Sequence, residues 1–597
     1  MMVVLVFVVF GASAVRSHSA SESLLFAVAL AVGLTPELLP AIVSITLSRG
    51  ARAMAERGVI VRRLEDGHEW RIERGMNPVF SADGQFLAFT QAVPKEEADK
   101  ARRDKKKPEE APKPGAGWLR LSDGHLELMP RVKRWAFAEQ GGRQLAVLLE
   151  AALPALPAKA GKPASAKDGT WPVADDRASF EEISAADQSA PPEAGAFGAS
   201  TGERAKKEPG TELLLIDPAN GQRLTFRDVA SFQWARKGQG LAFVVSVKEP
   251  AKETGKEGGK PVTPAADAPP QAGTEPAIEG VYWWPAGSQD KLTLLQGPGH
   301  YKQLAVSDDG RRVAFVTNRD GVAEAAAAAK AKPGQDKAGA EAPRTEPASV
   351  FKVMGWQQGE AQAKVLLAAG QASLAAGHGP SEHAALRFSK DGERLFLGTA
   401  PLPVAEPKNQ PEPLKVDLWH HKDPELQPMQ KVKAEREKLR SFRGVLHWAD
   451  GRFVQLASAT LPDVMVNENA AFAVGYDETP YRQLQSWDSL YRDVYAIDLQ
   501  TGQARLLAKK QRSYPRLSPK GRYITAFQPD TRQWTAWESA TGKSTDLTGA
   551  IKGRHFENVD RDVVEPSGPY GQVGWLADDR AVVLQEQYDL FSVDPAT

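Results

Sequence analysis

The sequence predicts a mainly β protein, a β-propeller of about seven or eight blades, complete or incomplete, behind an α-helical membrane hairpin. Three observations lead to this fold class. A polar turn followed by an apolar strand recurs along residues 65–597. Apolar residues fill both alternating positions of these strands, which indicates sheets that are buried on both faces. Two long apolar runs stand at the N-terminus. An array of β-sandwiches is the alternative fold.

Residues 1–64 form the predicted membrane segment. Residues 1–15 are an apolar run of marginal length for a spanning helix, whereas Leu24–Leu47 is long enough to cross roughly 30 Å of hydrocarbon. A signal peptide is the alternative for the first run, although that run lacks a basic beginning. Basic residues beside a spanning helix stay in the cytoplasm. Five arginines follow the second run: Arg49, Arg52, Arg57, Arg62 and Arg63. We expect a membrane-associated chain with a cytoplasmic propeller, or else a periplasmic or secreted one.

Two hairpin-forming units repeat in residues 65–597. The first occurs as FSADGQFLAF (80–89), VSDDGRRVAFV (306–316), FSKDGERLFL (388–397) and LSPKGRYITAF (517–527), with weaker copies at Trp135–Leu149, Phe232–Val245 and Trp575–Leu584. The second occurs as LLLIDPANGQRL (213–224), VYAIDLQTGQARLL (494–507) and TAWESATGKSTDL (535–547). Glycine tolerates the positive φ of such turns. Two hairpins per unit, repeated many times, are what a four-stranded propeller blade requires.

Low-complexity stretches separate the repeats. They are rich in Ala, Pro, Lys, Glu and Gly and contain few large apolar residues, so we expect disordered inserts. The main inserts lie at about 94–117, 154–210, 249–280 and 322–349. The first contains the basic run Arg102–Lys107, for which a solvated insert is favoured over contact with an acidic partner.

Composition excludes several classes of function. The chain has 75 basic and 75 acidic residues, so its overall charge does not favour nucleic acid as a partner. It has no cysteine, which excludes disulfides, thiolate catalysis and zinc–thiolate sites. No cofactor is expected.

Two short motifs match the residue spacing of a catalytic or a phosphate-binding pattern, but the surrounding sequence does not fit either one. Gly198-Ala199-Ser200-Thr201-Gly202 has the spacing of a nucleophile elbow, but its flanks cannot form the required strand and helix. Gly542-Lys543-Ser544 resembles the end of a phosphate loop, yet the first glycine of that motif is replaced by Trp537. We interpret the second motif as a hairpin turn and assign no catalytic residue.

Histidines and tryptophans are the remaining candidates. His420 and His421 stand near Asp417 and Asp423, but adjacent residues on a strand point to opposite faces, so a structural role is favoured over a metal site. Six tryptophans could line a peptide channel, although packing between blades is the favoured role. They are Trp419, Trp448, Trp487, Trp534, Trp537 and Trp575.

The N-terminal segment resembles a family of ion pumps. LLFAVALAVGLTPELLPAIVSITLSRGARAMAERGVIVRRL is similar to the end of the third and the fourth transmembrane helix of magnesium-translocating P-type ATPases. The resemblance implies that Glu37 matches a carboxylate of the ion site. It ends after Leu64, and the phosphorylation motif Asp-Lys-Thr-Gly-Thr does not occur in the chain. One carboxylate cannot form a cage for a hard cation, so Glu37 is interpreted as a vestigial metal ligand.

Residues 65–597 resemble the propeller part of the prolyl oligopeptidase family of serine peptidases. The most specific stretches are KVDLWHHKDPELQPMQK (415–431) and GYDETPYRQLQSWDSLYRDVYAIDLQTG (475–502), and the similarity continues at 515–527 and 568–595. In that family the propeller limits access to an α/β-hydrolase domain that follows it. The resemblance implies a non-catalytic propeller portion that gates peptide access, fused to a truncated ATPase segment, with peptides or a hydrolase domain as partners. The alternatives are a membrane-tethered binding platform and a peptidase whose catalytic domain lies outside this sequence.

Overall fold

The computed structural model describes residues 59–64, 67–106, 110–151, 209–247, 278–330, 349–404, 416–467, 469–560 and 565–597. The chain divides into two compact units, Met1–Glu150 with Leu214–Thr225 and Ala151–Leu213 with Phe226–Thr597. Nearly all of the predicted membrane segment lies outside the described residues. Within them, none of the helices combines the length and the apolar character that a membrane crossing requires.

The first unit consists of antiparallel sheets of consecutive strands. A hairpin is formed by β1 (Val59–Arg62) and β2 (Glu69–Ile72), so β structure begins before residue 65. A four-stranded sheet follows: β3 (Gly75–Phe80), β4 (Phe86–Gln91), β5 (Gly115–Arg120) and β6 (Leu126–Met129). The next strands are β7 (Val132–Phe137), β8 (Leu145–Leu149), the end of β9 (Thr211–Ile216) and the start of β10 (Arg223–Trp234). Helix α1 (Lys95–Arg103) lies between β4 and β5.

The second unit repeats the same meander. The rest of β10 is followed by β11 (Gly240–Val245), β12 (Gly280–Pro285) and β13 (Leu292–Gln296). The next sheet contains β14 (Tyr301–Val306), β15 (Arg312–Thr317), β16 (Lys352–Gln357) and β17 (Lys364–Leu367), with helix α2 (Arg319–Lys330) between β15 and β16. After it come β18 (His378–Pro380), β19 (Arg387–Phe388), β20 (Arg394–Pro401), β21 (Phe442–His447) and β22 (Phe453–Gln455), with helix α3 (Gln427–Lys438) between β20 and β21.

Three further sheets complete the described part of the second unit. One contains β23 (Asp463–Met465), β24 (Phe472–Asp477), β25 (Arg492–Asp498) and β26 (Ala504–Gln511). The next contains β27 (Arg516–Leu517), β28 (Tyr523–Gln528), β29 (Gln533–Glu538) and β30 (Ser544–Asp546). The last contains β31 (Gly571–Trp575), β32 (Val582–Gln585) and β33 (Leu590–Val593).

Apolar residues on both faces of a strand join neighbouring sheets of the second unit. Leu395 and Leu397 of β20 pack in a core with β15 and β16, while Phe396 between them packs in a core with β23–β25. A strand with alternate side chains in two cores belongs to a sheet covered on both faces. In the first unit, Phe86 and Ala88 lie in one core and Leu87 and Phe89 in another. The predicted burial of both strand faces is therefore confirmed.

Each sheet has two unlike ends. The first and third strand connections are short turns at one end, which we call the turn end. The second connection leaves from the opposite end because neighbouring strands are antiparallel. We call this the insertion end. In the second unit its connections are residues 246–279, 318–351, 402–441, 478–491, 529–532 and 586–589. Variation in loop length is therefore confined to one end of each sheet.

The turn end is built from a recurring local motif. Ser307 Oγ donates to Asp309 at 2.6 Å and accepts the amide of Arg312 at 3.0 Å, and the same bonds occur at Ser81–Asp83 and Ser389–Asp391. A glycine with positive φ closes each turn, for example Gly310 at 69°. The predicted first hairpin unit is therefore a side-chain-capped turn.

Two of the predicted inserts contain regular structure. Helix α1 lies within the stretch 94–117 and includes the first two arginines of the basic run, and β5 begins inside the same stretch. Helix α2 extends from β15 into the stretch 322–349. Alanine, lysine and glutamate are strong helix formers. These stretches can therefore form helices although they contain few large apolar residues.

Candidate functional site

A 3-10 turn gives one insertion its shape. This turn, Thr479–Ser486, follows β24, and Asp477 Oδ1 accepts the amide of Thr479 at 2.9 Å where it begins. Pro480 stands near its start and has no amide to leave unpaired. The segment ends at Trp487, whose side chain is 71 % exposed. Trp487 is therefore a surface indole at the end of this turn, in the connection that leads to the buried strand β25.

A buried arginine anchors the base of this insertion. Arg492, 1 % exposed, donates from Nε and Nη2 to Glu478 Oε1 at 3.2 and 3.1 Å, and from Nη1 to the carbonyl of Arg512 at 3.0 Å. Its guanidinium carbon lies 3.5 Å from the centre of the Tyr514 ring. Tyr514 is exposed and meets Tyr476 edge-on at 5.8 Å. The paired charge and the stacked rings hold an aromatic face towards solvent.

A carboxylate fixes the second part of the cluster. Asp493 Oδ1 accepts the Tyr481 hydroxyl at 2.7 Å and the Lys510 amide at 3.0 Å. Tyr491 meets Tyr481 edge-on at 6.2 Å and donates to Asp488. Burial, followed by the hydrogen bond to Asp493, raises the pKa of Tyr481 to about 12. Its hydroxyl therefore remains a neutral donor at physiological pH.

A second insertion contacts the first. In the connection between β20 and β21, Glu425 Oε1 lies 3.7 Å from Arg482 Nε and accepts from Lys433 Nζ of α3 at 2.7 Å. The side-chain Nε2 of Gln483 donates to the backbone carbonyl of Asp423 at 3.2 Å. These bonds hold residues 416–441 against residues 478–491. The two insertions therefore form one structural element above neighbouring sheets.

The joined insertions expose a set of large apolar side chains. We call it the insertion surface: Leu418, Trp419, Leu426, Met429, Val432 and Trp487. Helix α3 has no buried residue, and Trp419 is 64 % exposed. Large exposed apolar surfaces generally mark binding sites, and these six side chains belong to one structural element. Flat aromatic faces beside aliphatic side chains suit an extended peptide better than a small polar ligand.

The candidate histidines lie in this region but not on a strand. His420 and His421 belong to a turn, and their ring centres are 4.6 Å apart. The strand argument against their convergence was therefore wrong. His420 Nδ1 lies 3.2 Å from the Lys422 amide, in position to accept it, which occupies one of its two nitrogens. Among the described residues no three His, Asp or Glu side chains form a metal-binding group.

The other candidates divide into described and undescribed positions. Glu37 and Ser200 lie outside the described residues. Gly542, at φ 80°, donates its amide to the Glu538 carbonyl at 2.7 Å and joins β29 to β30, so the predicted hairpin is confirmed. Packing between sheets is confirmed for four tryptophans, Trp448, Trp534, Trp537 and Trp575. Trp419 and Trp487 are exposed instead.

Arg492 and Tyr514 were missed as candidates from the sequence. A usable signal existed, since five of the ten tyrosines lie within a short stretch: Tyr476, Tyr481, Tyr491, Tyr495 and Tyr514. Tyrosine is enriched at binding surfaces because it combines a large apolar face with a hydroxyl. The ion pair of Arg492 with Glu478 could not be foreseen because it depends on strand pairing.

Comparison with known sequences matches the N-terminal segment alone. No family model matches the chain. Over 43 N-terminal residues it is 65% identical to the magnesium-transporting ATPase, P-type 1, of Salmonella typhimurium strain LT2, which is 7% of this chain and 5% of the relative. The same ATPase of Escherichia coli K12 is 54% identical over 44 residues, also 5% of its length. The predicted resemblance of this segment is confirmed.

Solved structures similar to the chain include peptidases and the propeller domain of a protease. A prolyl endopeptidase aligns with 79% of this chain and 49% of its own, at 10% identity and a TM-score of 0.29. The β-propeller domain of the Trilobed protease from Pyrococcus furiosus aligns over 76% and 89%, at 11% and 0.26. Pyrococcus horikoshii acylaminoacyl peptidase aligns over 80% and 52%, at 11% and 0.26. The chain thus spans about half the length of the prolyl endopeptidase.

Proposed function

We propose that this chain is the non-catalytic propeller portion of a prolyl oligopeptidase-like serine peptidase and that it controls the access of peptides. The observation that carries the proposal is the insertion surface, where two consecutive insertions hold Trp419 and Trp487 exposed over ordered sheets. Exposed indoles cost solvation free energy, so a fixed apolar surface is expected to serve binding.

The repeated sheets support a propeller as the scaffold. Consecutive antiparallel meanders of the second unit share cores in chain order, as the blades of a propeller do. Closure of the blades around an axis is part of the proposal. In a propeller, insertions at one end of each blade come together around one opening. Such an opening admits a flexible peptide and excludes a folded protein.

The chemistry of the insertion surface favours peptides of mixed sequence. Its apolar members contact side chains of any shape, and the neighbouring Tyr514 face and Asp488 carboxylate offer stacking and hydrogen bonding. Charged neighbours are mostly paired within the insertions, for example Glu425 with Arg482 and Lys433. Selection by peptide size rather than by peptide charge follows from this arrangement.

Fluorescence anisotropy tests peptide binding directly. The full chain is titrated against a fluorescein-labelled nonapeptide rich in Pro, Leu and Phe. The double variant Trp419→Ala/Trp487→Ala is expected to weaken binding about tenfold, which corresponds to about 1.4 kcal/mol. Tyr588→Ala, which removes an exposed aromatic residue from a different hairpin, serves as the matched control. Equal affinity in the double variant and the control, or no binding by the parent chain, counts against the proposal.

A fluorophosphonate probe tests the non-catalytic assignment. Such probes label only a serine that an active site has activated. We expect no stoichiometric labelling of the purified chain. Saturable cleavage of peptides together with one label per chain would instead support the alternative of an active peptidase.

The second candidate function is a membrane-tethered binding platform. It is favoured by the 43-residue match to membrane ATPases. On this proposal the N-terminal segment anchors the chain, residues 65–597 lie in the cytoplasm, and Glu37 transports no ion. Pelleting of the full chain with carbonate-washed membranes, with protection from protease added outside intact cells, is the expected result. Recovery in the soluble fraction contradicts the tether and leaves the peptide-binding proposal standing.

A further inference from the structure

Two residues of the 3-10 turn connect it to the neighbouring insertion. Arg482 Nε lies 3.7 Å from Glu425 Oε1, and Gln483 Nε2 donates to the Asp423 carbonyl at 3.2 Å. Because the two donors are adjacent in the sequence and the two acceptors are close neighbours, both contacts belong to one junction. We call Arg482, Gln483, Asp423 and Glu425 the clasp. It joins two segments that are 60 residues apart in the sequence.

The carboxylate of the clasp is held in place by its own insertion. The side chain of Glu425 is 13 % exposed and accepts from Lys433 Nζ of α3 at 2.7 Å. The Glu425 carbonyl accepts from Gln430 Nε2 of the same helix at 2.8 Å. Arg482 therefore approaches a largely buried carboxylate that α3 already orients. Water screens such an ion pair less than an exposed one, so the pair contributes more to holding the insertions together.

Arg482 also lies near a second carboxylate of α3. The hydrogen bond from Arg440 lowers the pKa of Glu437, and the charge of Arg482 adds to this effect. A guanidinium has five N–H donors and can attract more than one carboxylate. Replacement of Arg482 by a neutral residue therefore weakens the attraction of the 3-10 turn to two points of the other insertion.

On the side of the longer insertion, a short turn links the clasp to Trp419. The Asp423 amide donates to the His420 carbonyl at 3.0 Å, and the His420 amide donates to Asp423 Oδ2 at 3.1 Å. Trp419 directly precedes this turn. The backbone that carries the Trp419 indole is therefore bonded to the residue that accepts from Gln483.

On the side of the 3-10 turn, the link to Trp487 is equally short. The amides of Trp487 and Asp488 donate to the Leu484 carbonyl at 3.1 and 2.8 Å. Leu484 directly follows the clasp residue Gln483. A continuous path of backbone and hydrogen bonds thus runs from one exposed indole through the clasp to the other.

We infer that Arg482 and Gln483 are positioning residues, which hold Trp419 and Trp487 in one fixed arrangement so that a single peptide contacts both indoles. The inference rests on the proposed peptide function. A peptide bound to one indole meets the second at a high effective concentration only while the two insertions are joined. Opening of the clasp separates the two contacts and lowers the affinity for peptides long enough to reach both.

The affinity test places one clasp variant in two backgrounds. Arg482→Gln/Gln483→Ala is titrated against the labelled nonapeptide, once in the parent chain and once in Trp487→Ala. We expect affinity to fall about fivefold in the parent chain and less than about twofold in Trp487→Ala, where one indole is left to position. A variant that weakened only the fold would lose affinity equally in both backgrounds. Lys438→Gln, which breaks an ion pair of 2.8 Å within α3, is the matched control and should bind like the parent.

Spin labels test the clasp without a peptide. The chain has no cysteine, so Lys422→Cys and Ser486→Cys place one label on each insertion, at exposed positions. Electron paramagnetic resonance should give a narrow distribution of label distances in this background. The distribution should stay narrow with Arg482→Lys, which keeps the charge, and broaden with Arg482→Gln/Gln483→Ala.

The outcomes separate this inference from the proposed function. When the parent chain binds the nonapeptide, three results overturn the inference: unchanged affinity in the clasp variant, equal losses in both backgrounds, or an unchanged distribution of label distances. A parent chain that binds no nonapeptide instead contradicts the proposed function. The label distances then decide alone whether the clasp holds the two insertions together.

Discussion

The two ends of the sheets differ in how their shape is determined. At the turn end, the same serine, carboxylate and glycine bonds recur in separate sheets. At the insertion end of the second unit, connections range from the short loop 529–532 to the long segment 402–441. Turns of neighbouring sheets contact each other, as Arg312 does Glu393 at 2.8 Å. The turn end is thus built from repeated stabilising bonds, whereas the insertion end varies in length and carries the proposed peptide surface.

In one copy of the turn motif the carboxylate comes from a distant residue. Ser518 is followed by Lys520 where the other copies have aspartate, and Asp579 of the next sheet occupies the missing position. Asp579 accepts the Ser518 hydroxyl at 2.5 Å and the amides of Lys520 and Arg522 at 3.1 and 3.2 Å. It is 1 % exposed, whereas Asp391 in the corresponding local position is exposed. The remote carboxylate thus couples the last sheet to the one before it.

The largest expected effect is at this remote carboxylate. Asp579→Asn replaces a buried acceptor by a group that also donates, which leaves the amides of Lys520 and Arg522 poorly paired. We expect a loss of about 3 kcal/mol in the free energy of unfolding, measured by urea denaturation. The matched change Asp391→Asn, at an exposed local carboxylate, is expected to cost about 1 kcal/mol.

Lys520→Asp extends this test, because its effect on the free energy of unfolding should change sign with the residue at position 579. In the parent it places two carboxylates at one site and destabilises the chain. In Asp579→Asn it restores the local carboxylate found at Asp391 and recovers stability. Additive effects of the two changes would contradict the equivalence of the local and remote carboxylates.

The next effect compares two glycines of the turn end. Both have positive φ, 77° at Gly521 and 72° at Gly392. A Cβ at Gly521 would lie 2.7 Å from the Ala470 Cβ, whereas at Gly392 it would meet the flexible Arg312 side chain at 3.1 Å. We expect Gly521→Ala to cost about 2 kcal/mol and Gly392→Ala about 1 kcal/mol in unfolding experiments. Equal costs would show that backbone strain alone determines the loss of stability, without a contribution from the contact with Ala470.

The insertion end is expected to respond in the opposite way. Trp487→Ala removes an exposed side chain, so the free energy of unfolding should change by less than about 0.5 kcal/mol. Affinity for the labelled nonapeptide should fall severalfold. Asp391→Asn serves as the converse control, since it should lower stability and leave peptide affinity unchanged. A stability loss in Trp487→Ala equal to that of Asp391→Asn would erase the distinction between the two ends.

The stability of the two ends is also expected to depend differently on pH. The insertion end is expected to lose stability at alkaline pH. Burial, followed by the charge of Asp463, raises the pKa of Tyr476 to about 12. A raised pKa of a neutral acid stabilises the fold below the unfolded value of about 10, and this contribution is lost as the pH rises through about 12. Absorbance at alkaline pH should show late ionisation of several tyrosines, including Tyr476 and Tyr481, and Tyr476→Phe should lower this late fraction by one tyrosine. Ionisation of every tyrosine near pH 10 would contradict this environment.

The smallest effect is at acid pH and belongs to the turn end. Burial alone would raise the pKa of Asp391, but the Ser389 hydroxyl, the Glu393 amide and the Arg394 charge together hold it below its usual range. The stabilisation is present above about pH 4 and is lost as the pH falls through the lowered pKa. Ser389→Ala should therefore reduce the loss of stability between pH 4 and pH 2, as followed by circular dichroism.

The sequence predicts local features of this fold and misses the features that depend on distant contacts. The Ser389–Gly392 turn and the two-sided burial of Phe86–Phe89 follow from neighbouring residues alone. The Asp579 carboxylate completes a turn about sixty residues away, and no local pattern marks it. The same holds for the Arg492 pair with Glu478 and for the contact of Glu425 with Arg482. The histidine argument was wrong because residues 416–426 contain no strand.

Photo-crosslinking tests the central claim that peptides meet the insertion end. A nonapeptide rich in Pro and Leu, with benzoylphenylalanine at its centre, is irradiated with the full chain, and crosslinked residues are identified by mass spectrometry. The account predicts adducts within residues 416–441 and 478–514 that an excess of unlabelled peptide suppresses. Suppressible adducts at the turn end, around Asp309 and Glu393, would contradict it.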